Sequence, residues 1–210
     1  MPLTSEATKP LHNADMSGVQ MIAGPRNKKP LQIVDSSPDW ASTFAALAQQ
    51  IRDALGDGRA LAVEHVGSTS VPGLPAKDVI DIDLVVADPS DEAAYVSRLE
   101  EAAGFVFYFR DLSPGAHQHR FFGRDGPPVW VNLHVYGPGC PEVARHCLFR
   151  DWLRAHGRDR ELYARTKREA MAASCGAGET MREYNARKEP VIRDILDRAS
   201  KASEIESGNE

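Results

Sequence analysis

Long hydrophobic runs are what this sequence most plainly lacks. None approaches the ~20 apolar residues of a membrane-spanning helix, so no membrane partner is expected. The first residues carry no apolar signal-peptide core, so export by that route is not expected either. Cysteine is scarce: Cys140, Cys147 and Cys175 form no C-x-x-C pair, and three is an odd number, which argues against a disulfide framework. The cytoplasm is therefore the expected compartment. A zinc site on Cys140, His146 and Cys147 has poor ligand spacing. Positive charge is not in excess: the formal net charge is −5, so no global basic field would hold long nucleic acid, and nucleic acid is not an expected partner. No G-x-x-x-x-G-K-[ST] stretch is present, which excludes a P-loop. No internal repeat is present either.

What remains is an ordinary globular composition, 42% hydrophobic and 26% charged over 210 residues, enough for one domain with a sizeable core. Residues 1 to about 30 mix Pro, Ser, Asn and Lys without a sustained period and read as a disordered tail. A strand-like Leu31–Val34 follows. Ser37-Pro38-Asp39 is a helix start, and Trp40, Phe44, Leu47, Ile51 and Leu55 recur at helical spacing up to Gly56. Short strands are expected at Leu61–Val66, Val79–Val86, Phe105–Phe109, His119–Phe122 and Val129–Tyr136, the last two joined by a hairpin at Arg124-Asp125-Gly126-Pro127. Asp91–Ala103 reads as a helix. From Pro141 the pattern is helical in three pieces broken near Gly157 and Gly176–Gly178, and Lys201–Glu210 is expected to fray. The order describes an α+β domain over residues 31–200, a small mixed sheet followed by a helical C-terminal third.

The stretch Val63–Val86, VEHVGSTSVPGLPAKDVIDIDLVV, carries the chemistry. Asp81 and Asp83 stand at i and i+2 on a strand and so share a face. Two like charges on an otherwise apolar strand call for a cation, and carboxylates suit a hard divalent metal that carries phosphates. One strand earlier, the Gly67-Ser68-Thr69-Ser70 turn offers backbone N–H groups and hydroxyls to a phosphate, with Lys77 nearby. An ordinary turn and a solvated lysine would look the same.

Later segments add candidates. Asn132, His134 and Tyr136 alternate with Val131, Leu133 and Val135, so His134 could serve as metal ligand or general base. A histidine satisfied by a backbone partner fits the pattern equally well. His117, His119 and Arg120 form a polar knot, and His117, His119 and His134 could make a three-histidine metal site if two strands align. His65 and Arg120 are further cleft candidates. Arg145, Arg150, Arg154, Arg158 and Arg160 read mostly as solvated faces, whereas Arg182, Arg187 and Lys188, near Tyr184, are the later cations best placed for phosphate.

The run EHVGSTSVPGLPAKDVIDIDLVV resembles the signature of the GrpB family, in the nucleotidyltransferase-fold superfamily. Pro38-Asp39-Trp40, Asn132-Leu133-His134-Val135, Leu148–Leu153, Leu162-Tyr163, Lys167, Tyr184 and Lys188 extend the resemblance over residues 31–200. It implies a sheet of nucleotidyltransferase type, with Gly67 and Ser68 at the triphosphate and Asp81 and Asp83 holding Mg2+ (or Mn2+). It also implies ATP or another NTP as co-substrate and a small-molecule acceptor. Active members of the superfamily usually place a third carboxylate on a later strand, where this chain has Asn132 and His134. The family also occurs fused to dephospho-coenzyme A kinase. The expected function is nucleotidyl transfer. The alternatives are an ATP-dependent ligase that forms an amide through an adenylate, and a non-catalytic nucleotide-binding module.

Overall fold

The computed structural model describes residues 18–26, 32–126 and 129–207. The strands are β1 (Val19–Met21), β2 (Ala62–Val66), β3 (Val79–Val85), β4 (Val106–Asp111), β5 (Arg120–Arg124) and β6 (Trp130–Tyr136). They form one mixed sheet in the order β1-β4-β5-β6-β3-β2. Among the described residues only β3 and β6 pair in parallel, with Asp81 beside Asn132 and Asp83 beside His134; the other neighbours are antiparallel. A parallel pair cannot be closed by a tight turn. The chain between them therefore travels through a 3₁₀ turn at Glu92–Ala94, helix α2 (Val96–Glu101) and the β4–β5 hairpin.

Alternation along β3 gives the sheet two different faces. Ile80, Ile82 and Leu84, with Val131, Leu133 and Val135 of β6, are fully buried against α1 (Asp39–Leu55) and α2. Helix α1 follows its apolar spacing: Trp40, Leu47, Ile51 and Leu55 enter that core, and Gly56 ends it at φ 77°. The opposite face carries the polar residues of β3 and β6 and lies towards α3 (Pro141–Ala155), α4 (Gly157–Ala177) and α5 (Met181–Ser207). A second cluster, Val71, Leu74, Leu153, Tyr163 and Ile195, packs these helices on the segment after β2. Among the described residues no helix is long and apolar enough to cross a membrane.

Several expectations change. Val19–Met21, inside the segment read as a tail, adds to the sheet edge against Phe109–Asp111; residues 1–17 and 27–31 lie outside the described residues. Leu31–Val34 is not a strand in its described part, where Val34 makes an isolated two-way backbone pair with Ala76. The helix expected at Asp91–Ala103 shrinks to Val96–Glu101 after the 3₁₀ turn. Residues 201–207 continue α5 instead of fraying. The helix needs no local stop signal there, because Ile195, Leu196, Ala199 and Ser200 just before it are buried and anchor it.

Candidate functional site

Asp81 stands at the floor of a small pocket whose lining also includes Ser68, Thr69, Lys77, Asn132, Lys167, Tyr184 and Lys188. The Gly67 turn approaches the carboxylate so closely that a Cβ on Gly67 would overlap its atoms. The turn is a 3₁₀ segment, Ser68–Ser70, tied by Ser70 Oγ donating to Gly67 O at 2.6 Å and by Thr69 Oγ1 donating to Val79 O at 3.1 Å. From α3, the Arg154 guanidinium grips Ser70 O at 2.8 and 3.0 Å, and Arg150 donates to His65 O and to Glu64. Arg150 and Arg154 are thus structural clamps; Arg145 is 4% exposed and Arg150 half-buried, unlike solvated side chains, whereas Arg154 stays exposed.

Lysines line the pocket together with the acid. Lys167 is 2% exposed and donates to Pro75 O at 2.6 Å; Lys188 is 9% exposed and stands 4.2 Å from the Tyr184 ring centre. Burial, with Lys77 adding repulsion, pushes the Lys188 ammonium down to about 7, and Lys167 is likewise lowered by burial and by Lys188. Lys77 Nζ reaches Met181 Sδ at 3.0 Å. Among the described residues the buried Tyr184 hydroxyl has no hydrogen-bond partner. Buried cations beside an unsatisfied hydroxyl form an environment completed by an anion with spare acceptors, such as phosphate.

The second aspartate lies deeper. Asp83 is fully buried under α3, with Oδ2 2.7 Å from His146 Nδ1 and Oδ1 unpartnered. His134, its neighbour on β6, has Nδ1 3.0 Å from His119 Nε2. Burial keeps both of these imidazoles below their ordinary pKa, against the upward pull of Asp83 on His134. Among the described residues no three or more His, Cys, Asp or Glu side chains are grouped to hold a metal, so neither the three-histidine site nor the Cys140–His146–Cys147 site is assembled. The chemistry of the acid pair still fits a hard divalent cation: two carboxylates share one sheet face, and Asp83 keeps an unused buried oxygen. On β6, the position next to Asp81 presents the Asn132 amide, donating to Asp81 Oδ1 at 2.6 Å.

Of the residues singled out from sequence, Ser68, Thr69, Lys77, Asp81, Asn132, Tyr184 and Lys188 line one pocket. Gly67 and Ser70 shape its turn. Asp83, His119 and His134 form the adjoining polar cluster. Two candidates face elsewhere. His65 pairs with Ile82 on the core side of the sheet, stacks on Phe44 at 4.5 Å and bonds Thr69. Arg120 pairs with Val135, also on the core side, and its guanidinium binds Glu92 at 3.0 Å. Arg187 is taken by Glu179, and Arg182 is exposed. Sequence reasoning missed Arg26, the contact of His146 with Asp83 and the burial of Lys167. Asx or histidine spacing could not reveal these, because each partner is far along the chain.

The family described as GrpB protein matches residues 30–198, almost the whole described chain. This chain belongs to the GrpB family. A UPF0157 protein of Halalkalibacterium halodurans is 42% identical to it over 170 residues, covering 81% of this chain and 83% of that protein. The crystal structure of the conserved protein GrpB from Enterococcus faecalis superposes with a TM-score of 0.64 at 26% identity, covering 82% of this chain and 99% of that one. A dephospho-CoA kinase of Mycolicibacterium paratuberculosis is 33% identical over 193 residues, which span 82% of this GrpB chain but only 46% of the kinase.

Proposed function

We propose that this GrpB protein binds a nucleoside triphosphate with Mg2+ and transfers its nucleotidyl group to a small-molecule acceptor. One observation carries the reading: a carboxylate, Asp81, lines the same pocket as buried Lys167 and Lys188 and Tyr184, whose buried hydroxyl has no hydrogen-bond partner among the described residues. Lys77, Lys167 and Lys188 would neutralise the phosphates, and Tyr184 would donate to a phosphate oxygen. Asp81 and Asp83 would hold the cation, which would supply positive charge to offset that of the phosphates. The acceptor's hydroxyl or amine displaces pyrophosphate from the α-phosphorus. His134, whose imidazole burial holds below its ordinary pKa, would take the acceptor's proton. Similarity to part of a dephospho-CoA kinase supports a nucleotide-related role without naming the acceptor.

A second reading, a nucleotide-binding module without turnover, is favoured by one observation: Asn132 stands beside Asp81 where a third carboxylate would strengthen the cation site. Thermal stability against ATP, GTP, CTP and UTP, with and without Mg2+, tests binding; pyrophosphate release separates the two readings. A Mg2+-dependent rise with a nucleotide is expected for the wild type, and Asp81→Asn should remove most of it while the unliganded protein stays folded. An equal rise in that variant would sink the assignment of Asp81.

A further inference from the structure

Arg26 reaches the site from the far edge of the sheet. It follows β1, and its guanidinium crosses β5 above Gly123, lying 5.1 Å from the Tyr108 ring centre and 5.3 Å from that of Phe121. It is pinned by Asp125, which accepts from Nε at 2.9 Å and also from Nη2, and by Val131 O at 3.2 Å. Asp125 is only 6% exposed, and its other oxygen accepts from the Tyr108 hydroxyl at 2.9 Å. The remaining contact is functional in its placement: Arg26 Nη1 donates to Asn132 Oδ1 at 2.7 Å.

That contact fixes which end of the Asn132 amide faces Asp81. A guanidinium can only donate and an ionised carboxylate can only accept. With Oδ1 held by Arg26, Nδ2 must point at Asp81, and it does, at 2.6 Å. The amide therefore occupies one carboxylate oxygen and turns its own oxygen away from the place where a cation would sit. Gly123 permits the arrangement, because a Cβ there would stand 2.7 Å from Arg26 Cζ and Nη2.

We propose that Arg26 is a positioning residue that latches Asn132 with its amide nitrogen towards Asp81, withholding an oxygen ligand from a divalent-cation site, and that release of Arg26 lets Asn132 turn its oxygen into that site. The inference rests on the reading that Asp81 holds a hard cation. The N-terminal strand thereby sets the donor set of a site built on β3 and β6.

The test measures binding of Mn2+ alone, by the electron paramagnetic resonance signal of the free ion, to the full chain. Two variants free the latch by different routes: Arg26→Ala removes the guanidinium, and Gly123→Ala displaces it while leaving Arg26 in place. Both should bind Mn2+ more tightly than wild type by about tenfold, the order of one hydrogen bond to a charged group. Adding Asn132→Ala to Arg26→Ala should abolish the gain. Binding equal to or weaker than wild type in either latch variant overturns the latch, as does a gain that survives loss of Asn132. If those results come with Mn2+ binding that Asp81→Asn abolishes, the cation site stands and the latch alone fails. Wild-type binding that Asp81→Asn leaves unchanged overturns both. Absence of binding in wild type and latch variants alike overturns the latch and the cation site together, whereas binding only in the latch variants supports it.

Discussion

At Gly67 the backbone has φ 68° and ψ −170°, a region that glycine alone reaches cheaply, and a side chain there would run into Asp81. Gly67→Ala is expected to cost about 1–3 kcal/mol in strain. It should also displace the carboxylate, so chemical denaturation would show the loss of stability while the nucleotide-dependent thermal shift disappears. An Ala variant that keeps the full shift would contradict the close approach. At this scale the sequence reveals residue type and phase but not depth. Asp81 and Asp83 look equivalent by alternation, yet Asp83 is fully buried against His146 of α3 while Asp81 lines the pocket. His65 and Arg120, cleft candidates from the sequence, fall on the core face, opposite Ile82 and Val135.

Among the elements, α5 joins the two jobs of the molecule: it supplies Tyr184 and Lys188 to the pocket and Ile195 to the cluster of Val71, Leu74, Leu153 and Tyr163. Ile195→Ala should cost about 2–5 kcal/mol by opening a cavity, and it should weaken the nucleotide response as well, since the same helix carries the anion-binding groups. Leu47→Ala, in α1 on the other face, should lower stability by a similar amount and leave the nucleotide response in place. Comparable loss of response in both variants, scored by thermal shift at saturating Mg2+ and nucleotide, would deny α5 its special role. The strands and helix α1 were legible because their apolar spacing matches their burial: Ile80, Ile82 and Leu84 alternate, and Trp40, Leu47, Ile51 and Leu55 recur at helical spacing. Strand β1 was not, because Val19–Met21 has no periodic signal of its own. Three residues gain a strand conformation only from the edge that β4 offers.

For the molecule as a whole, pH reports how the layers are held together. His65 lies between β3, Phe44 of α1 and the Gly67 turn, and burial, aided by Arg154 and Arg150, lowers its imidazole from 6.5 to about 4. Its folded pKa is depressed, so its contribution to stability is complete above pH 6.5. As pH falls from 6.5 towards 4 the unfolded chain takes up the proton first, and about 3 kcal/mol should be lost across that window. Denaturant unfolding at pH 7 and pH 4.5 should show a smaller drop for His65→Gln than for wild type; equal drops would mean that the histidine is not the buried titrating group. The sequence by itself determined the α+β order, the core face of β3, the glycine turn followed by two aspartates, and the family resemblance, because these depend on local spacing and residue type. Only the tertiary structure decided that Lys167, Lys188 and Tyr184 close over Asp81, that His146 caps Asp83, and that Arg26 holds Asn132. Those partners lie as much as 107 residues apart, and no local pattern encodes a contact that the sheet order and the helix packing create.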